Sequence, residues 1–166
     1  MKKVLLSIMC VLLIMMCVTG CKKSKSKTTL DDVTLTKGKS TSICKETETG
    51  DDYDMTTTTT TNYDDNGYAI NMKVISEYLF YDGEQFEIFV EETEKNTEAN
   101  KNMEGIDYDY SIDKEKRVLK TLFAYRNLKL DDNIREAYSI KELVKSSESR
   151  NGKCELKGTT RDAIGL

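Results

Sequence analysis

The chain has 166 residues, a formal net charge of −4, and no histidine, tryptophan or proline. Without histidine, Ser-His-Asp and Cys-His catalysis are excluded, and the commonest nitrogen ligand for transition metals is missing. The acidic balance argues against nucleic acid as a partner, because affinity there comes mainly from neutralising phosphates with basic side chains.

Lys2 and Lys3 precede an apolar run, Val4 to Val18. At about 15 residues it has the length of a secretory core and falls short of the ~20 a spanning helix needs. An uncleaved N-terminal membrane anchor is the alternative. The run closes on Val18-Thr19-Gly20-Cys21, which resembles a bacterial lipobox. Cys10 and Cys17 each follow a methionine, too bulky for the position before cleavage, whereas Cys21 follows a glycine. The resemblance implies a signal peptide over 1–20, a lipid on Cys21, and attachment to the extracytoplasmic face of the cell membrane. Buried acyl chains contribute about 0.8 kcal/mol per CH₂, so two or three hold firmly where one does not. Lys22-Lys23-Ser24-Lys25-Ser26-Lys27 follows, suited to anionic headgroups or simply to a soluble spacer. Residues 21–40, rich in Lys, Ser and Thr, read as a tether. Removing residues 1–20 takes two lysines and no acid, so the mature charge is −4 − 2 = −6.

Five cysteines divide simply. Cys10 and Cys17 leave with the leader and Cys21 takes the lipid. Cys44 and Cys154 remain, near the two ends of a single domain over 41–158 that is followed by a short tail, 159–166. In an exported protein such a pair reads as a disulfide. Buried free thiols are the alternative, and the absence of a Cys-x-x-Cys pattern argues against redox work.

Along the domain, Ile43 and Cys44 mark a first strand, and the threonine run Thr56–Thr61, β-branched throughout, a second. Tyr68, Ile70, Met72, Val74, Tyr78 and Phe80 alternate with Asn71, Lys73 and Glu77, which predicts a long half-buried strand with the polar set outward. Asn66-Gly67 before it and Asp82-Gly83 after it read as hairpin turns, with Phe86, Ile88 and Val90 continuing on the next strand. The polar stretch Glu91–Glu104 reads as a short surface helix. Ile106, Tyr108, Tyr110 and Ile112 predict an amphipathic strand, turned by Asp113–Lys116 into Arg117–Leu130, which is apolar on both faces. Ser139 with Glu142 forms a capping box, and Tyr138 with Leu143 a hydrophobic staple, for a C-terminal helix that lays Ile140, Leu143 and Val144 on the sheet. Gly152 is placed to end it in the left-handed conformation, and Cys154 just beyond reaches back to the first strand. The expected fold is α+β, an antiparallel β meander of about five to seven strands with a C-terminal helix packed on one face.

A cysteine on the first strand, the meander, the Gly-Ile-x-Tyr strand at Gly105–Tyr108, a capped helix and a closing cysteine together resemble the small YehR-like lipoproteins. The resemblance covers about Thr41 to Leu156. It implies an envelope lipoprotein and supplies no catalytic residues.

Acid clusters are the other conspicuous feature: Asp51-Asp52-Tyr53-Asp54, Asp64-Asp65-Asn66 and Asp107-Tyr108-Asp109. The window Asn62-x-Asp64-x-Asn66-Gly67 resembles the start of a calcium loop, but Lys73 stands where the closing glutamate belongs, and turns or solvated strand faces are the plainer account. Paired carboxylates also suit a glycosidase, although so many acids in a small domain make such pairs uninformative. Of the nine tyrosines, Tyr81 and Tyr125 are expected to be exposed. Three functions follow: a non-catalytic binding module of unknown ligand, without cofactor or metal; an accessory subunit docking through a sheet edge; and, least supported, a carboxylate-based envelope hydrolase.

Overall fold

The computed structural model describes residues Val33–Leu166; the leader, Cys21 and the lysine cluster lie outside the described residues. The fold is α+β. Strands β1 (Ser40–Thr49), β2 (Tyr53–Tyr63) and β3 (Ala69–Phe80) run up and down, and helix α1 (Gly83–Asn100) then carries the chain away. A hairpin of β4 (Ile106–Asp113) and β5 (Val118–Tyr125) follows, then a single turn α2 (Asp132–Arg135), helix α3 (Ile140–Ser149) and a short strand β6 (Lys153–Lys157). The sheet is six-stranded, in the order β4-β5-β3-β2-β1-β6, with every neighbouring pair antiparallel.

Successive side chains alternate across a strand, so the sheet has two distinct faces. On one, α1 covers Tyr53, Phe80 and Leu119, and α3 covers Cys44, Tyr63 and Ala69. The other face is crossed by the segment leading into β1. Val33 is buried against Leu122 and Ala124 with Leu35 and Ile75 alongside. That strap explains why β5 is apolar on both sides: Leu119 meets the helix and Leu122 the strap. The packed region therefore includes Val33 and Leu35, inside the stretch read from sequence as tether.

The strap also corrects the expectation for Asn71, which is 1% exposed rather than outward. Its amide donates to the Thr36 carbonyl at 2.8 Å, and Asn62 donates to the same carbonyl at 3.0 Å and to the Asn71 side-chain oxygen at 2.9 Å. Thr41 donates to the Asn62 oxygen, so each polar atom of this buried cluster has a partner.

The largest difference from the sequence expectation is at Asp82-Gly83. Asp82 caps α1: its carboxylate accepts from the backbone N–H of Glu84 and Gln85 at 2.9 and 3.0 Å. Phe86, Val90 and Thr93, spaced i, i+4, i+7, form the buried ridge, while Ile88 is 43% exposed. The expected strand through Phe86, Ile88 and Val90 and the expected short helix after it are thus one 18-residue helix. Phe86 meets Phe80 edge-on at 5.6 Å, and Phe89 lies 5.5 Å from Tyr53.

Ser139 caps α3 as expected, accepting from the Glu142 N–H, and Ile140 and Val144 are buried. The C-terminal end differs. Asn151, not Gly152, takes the left-handed conformation at φ 63°, and the N–H groups of Asn151 and Gly152 return to the carbonyls of Glu148 and Ser147. Gly152 is needed for close approach instead: a Cβ there would meet the Ser147 hydroxyl at 2.3 Å and the Glu46 side chain at 2.8 Å. The expected strand over Arg117–Leu130 ends at Tyr125, after which the Leu128 N–H bonds the Ile70 carbonyl at 2.8 Å.

Candidate functional site

Cys44 and Cys154 stand directly opposite each other on β1 and β6 and are joined as a disulfide, S–S 2.03 Å. Cys154 lies just beyond α3, on the closing strand β6, and pairs with the first strand as expected. Cys21, the predicted lipidation residue, lies outside the described residues.

A recess of about 410 Å³ opens at the pole where the β2–β3 turn meets the start of α3 and the C-terminal tail. The turn forms because Asp64 bends back on its own backbone. Its Oδ1 accepts from the N–H of Asn66 and Tyr68, both at 2.9 Å, and Gly67 takes φ 80°, which only glycine adopts freely. The Gly67 carbonyl then accepts the Ile140 N–H at 2.9 Å, clamping the turn to α3. Against this frame, the Arg135 guanidinium lies 4.4 Å from the Tyr68 ring centroid and reaches Asp64 Oδ2 at 3.4 Å. The Tyr68 hydroxyl donates to Glu136 at 3.2 Å, and that carboxylate raises its pKa. Lys39 and Lys141 complete a lining that carries both signs of charge. Such a surface suits a polar ligand with separated charges.

A second recess, about 450 Å³, lies along α1 between Glu84, Glu87, Glu91 and Glu94, with Ile88 and Lys114 on its margin. Lys114 reaches Glu87 at 3.7 Å and Lys95 pairs with Glu91 at 2.7 Å.

The predicted acid clusters do not converge. Asp107 is held bidentately by Arg126 at 2.5 and 2.7 Å, and Asp54 lies beside the Tyr81 hydroxyl, whose pKa it raises. Asn62 and Lys73 of the calcium-like window face the strap, away from Asp64 and its turn. Among the described residues no group of three or more acids or cysteines is placed to hold a metal. The carboxylates with displaced pKa are all lowered: Glu91 by Lys95, Asp113 by the Lys116 backbone N–H, and Glu148 by Arg161. A general acid for glycoside cleavage needs the opposite shift.

Tyr81 is exposed, as expected. Tyr125 is not: it packs edge-on against Phe123 at 4.6 Å, its hydroxyl is enclosed without a partner, and burial pushes its pKa up to about 12. The Tyr68–Arg135–Glu136 group escaped sequence reasoning because its members are 67 and 68 positions apart and carry no local pattern.

The edge of β4 is the remaining feature. The Arg126 N–H donates to the Gly105 carbonyl, so Gly105 and each second residue after it bond inward to β5. Tyr108, Tyr110 and Ile112 therefore turn their backbone groups to the outer edge, which no strand among the described residues pairs. The Tyr110 N–H is met there by the Asp109 side chain at 2.8 Å.

Comparison with protein-family models, with curated proteins and with solved structures finds no match. No helix among the described residues is long and apolar enough to cross a membrane.

Proposed function

We propose that the chain is a lipid-anchored protein of the extracytoplasmic membrane face whose α+β domain binds a partner or ligand and catalyses no reaction. The observation that carries this reading is the Cys44–Cys154 disulfide. Disulfides persist in oxidising compartments, so the bond fits export and leaves Cys21 as the cysteine available to the lipid. The domain's carboxylates support the non-catalytic half: they cap helices, shape turns or pair with arginine. The polar recess lined by Tyr68, Glu136 and Lys141 is the binding surface this reading favours.

The anchor is tested by Triton X-114 partition of the protein expressed in a lipoprotein-processing bacterium. It enters the detergent phase, and Cys21→Ala moves it to the aqueous phase; no shift would refute the anchor. Export is tested by thiol alkylation of non-reduced mature protein, which adds no mass if Cys44 and Cys154 are bridged. A second reading, docking through a sheet edge, is favoured by the open backbone of β4.

A further inference from the structure

We propose that the chain associates head to tail, the β6 edge of one copy adding as an antiparallel strand to the β4 edge of the next. The proposal rests on the second reading above, docking through a sheet edge, and names the occupant of that edge.

Three observations converge. The first is direction. β4 and β6 are the outermost strands, and neither outer edge is paired among the described residues. Every neighbouring pair between them is antiparallel, so across the six strands β4 and β6 run in opposite directions. A second copy set beside the first in the same orientation therefore brings its β6 antiparallel to β4, with the helices of both copies on one face.

The second is the backbone. On β4 the outward N–H and C=O groups belong to Tyr108, Tyr110 and Ile112. On β6 they belong to Cys154 and Leu156. The Cα atoms of Cys44 and Cys154 are 4.1 Å apart, the spacing of an opposed pair that exchanges no backbone bonds, so Lys153, Glu155 and Lys157 bond inward to β1. Cys154 and Leu156 pack under α3, and Tyr110 and Ile112 under α1. The outward-bonding residues of both edges thus share the helix face.

The third is charge in a fixed register. On the strap face β6 carries Lys153, Glu155 and Lys157, and β4 carries Asp107, Asp109, Ser111 and Asp113. One register sets Cys154 opposite Ile112 and Leu156 opposite Tyr110. Lys153 then meets Asp113, Lys157 meets Asp109, and Glu155 meets Ser111, the position in that row without a carboxylate. A slip of two residues either way sets Glu155 against Asp109 or Asp113, and a slip of one turns the lysines to the wrong face. β6 is too short to recruit an arbitrary strand, so the contact depends on this match. The Leu156 carbonyl takes the Tyr110 N–H, which Asp109 covers at 2.8 Å in the single chain, and frees that carboxylate for Lys157. The pairs that must yield, Lys157 with Glu155 at 3.5 Å and Lys116 with Asp113 at 3.4 Å, are exposed and weak.

The test uses the mature-length chain from residue 21 with Cys21→Ser, oxidised, so that neither lipid nor detergent intervenes. Sedimentation velocity over a concentration series shows mass growing past a dimer, as a head-to-tail contact requires. Amide exchange read by nuclear magnetic resonance slows by at least about tenfold at Ile112 and Leu156 over the same series. Ser111 is exposed, so changes there leave the fold intact. Ser111→Glu, opposite Glu155, lowers the association constant by about threefold or more, and Ser111→Lys raises it by as much. Lys153→Asp with Lys157→Asp abolishes association, as does Asp109→Lys with Asp113→Lys, and mixing the two variants restores it. A chain that stays monomeric overturns the proposal. So does association that leaves Ile112 and Leu156 exchanging freely, or protection of Ile112 that persists at the lowest concentration. A short peptide of alternating lysine and threonine separates this failure from that of the edge reading. If it protects Ile112 in a chain that stays monomeric, β4 docks another partner and the proposal alone falls; if it does not, both fall.

Discussion

Reducing the Cys44–Cys154 bond offers the sharpest test of how the domain is held together. The bond closes a loop of 110 residues. The chain-entropy treatment gives about 16 cal/mol/K for such a loop, or about 5 kcal/mol at 25 °C, acting on the unfolded chain. Cys44 is buried beside Val144 and Tyr63, so alanine there would add a cavity cost to the loss of the bond. Reduction with a phosphine avoids that confusion. The folded side should change little, because β6 keeps its ladder to β1 and its contacts with α3. For a domain of about 130 residues, 1 kcal/mol moves Tm by roughly 3–4 °C, so reduction should lower Tm by about 15–20 °C. Circular dichroism melts of the Cys21→Ser mature-length chain, oxidised and reduced, measure this directly. A urea titration should also show a larger m on reduction, since the unlinked chain unfolds to a more open state. A fall in Tm below about 3 °C would refute the claim that this loop limits the unfolded ensemble.

Phe86→Ala should cost about 3–5 kcal/mol and Ile88→Ala under about 0.5, by urea titration; equal costs would contradict the helical ridge. Asp82→Ala removes the cap of α1 and should cost about 1 kcal/mol in the same assay. Tyr125→Phe deletes an enclosed hydroxyl that has no partner and should leave stability unchanged or raise it. Its pH dependence has a defined sign. The folded pKa, about 12, lies above the ordinary value near 10, so this contribution is present below pH 10 and is lost as pH rises toward 12. The phenylalanine variant should therefore lose less stability over that interval, measured by urea midpoints at each pH. Asn71→Asp replaces the donor to the Thr36 carbonyl with a buried carboxylate and should loosen the strap, read as faster amide exchange around Leu35 at pH 7 that recovers on acidification.

The three strands β1–β3 were legible because their signals are local. Threonines favour a pleated surface, the apolar residues of β3 repeat every second position, and Asn66-Gly67 supplies the turn. The capping box of α3 was legible for the same reason. Asp82-Gly83 misled because aspartate before glycine serves both a tight turn and a helix start. Phe86 and Val90 fit period two and also the i, i+4 spacing of a helix. The conflict is settled downstream, where Glu91–Asn100 has no β-branched alternation to pair with a neighbour and a helix simply runs on. Tyr125 misled because its burial comes from Phe123 on its own strand and from the fold around it, not from its sequence neighbours. Asn71 reads as outward from its own strand, and only the strap, arriving from 35 residues upstream, turns that position into core. The polar recess was illegible for a stronger reason. Its walls come from residues 39–40, 64–68, 136–141 and 158–164, and no residue type in any of them departs from ordinary turn composition.

The two edges of the sheet are protected by unlike means, and the difference bears on where the protein meets others. At one edge, β6 is only five residues long, alternates Lys153, Glu155 and Lys157, and is fixed to β1 by a covalent bond at its second residue. A short charged strand that cannot slip is a poor template for another chain. At the other edge, β4 is eight residues long, carries two tyrosines and an isoleucine with outward backbone groups, and is guarded by aspartates alone. Charge is a conditional guard: it repels a like strand and admits a basic one. The acidic row Glu84, Glu87, Glu91 and Glu94 on the adjoining helix extends the same field. The β4 edge therefore selects its occupant by charge, disfavouring a second copy of its own acidic strand and admitting a basic one.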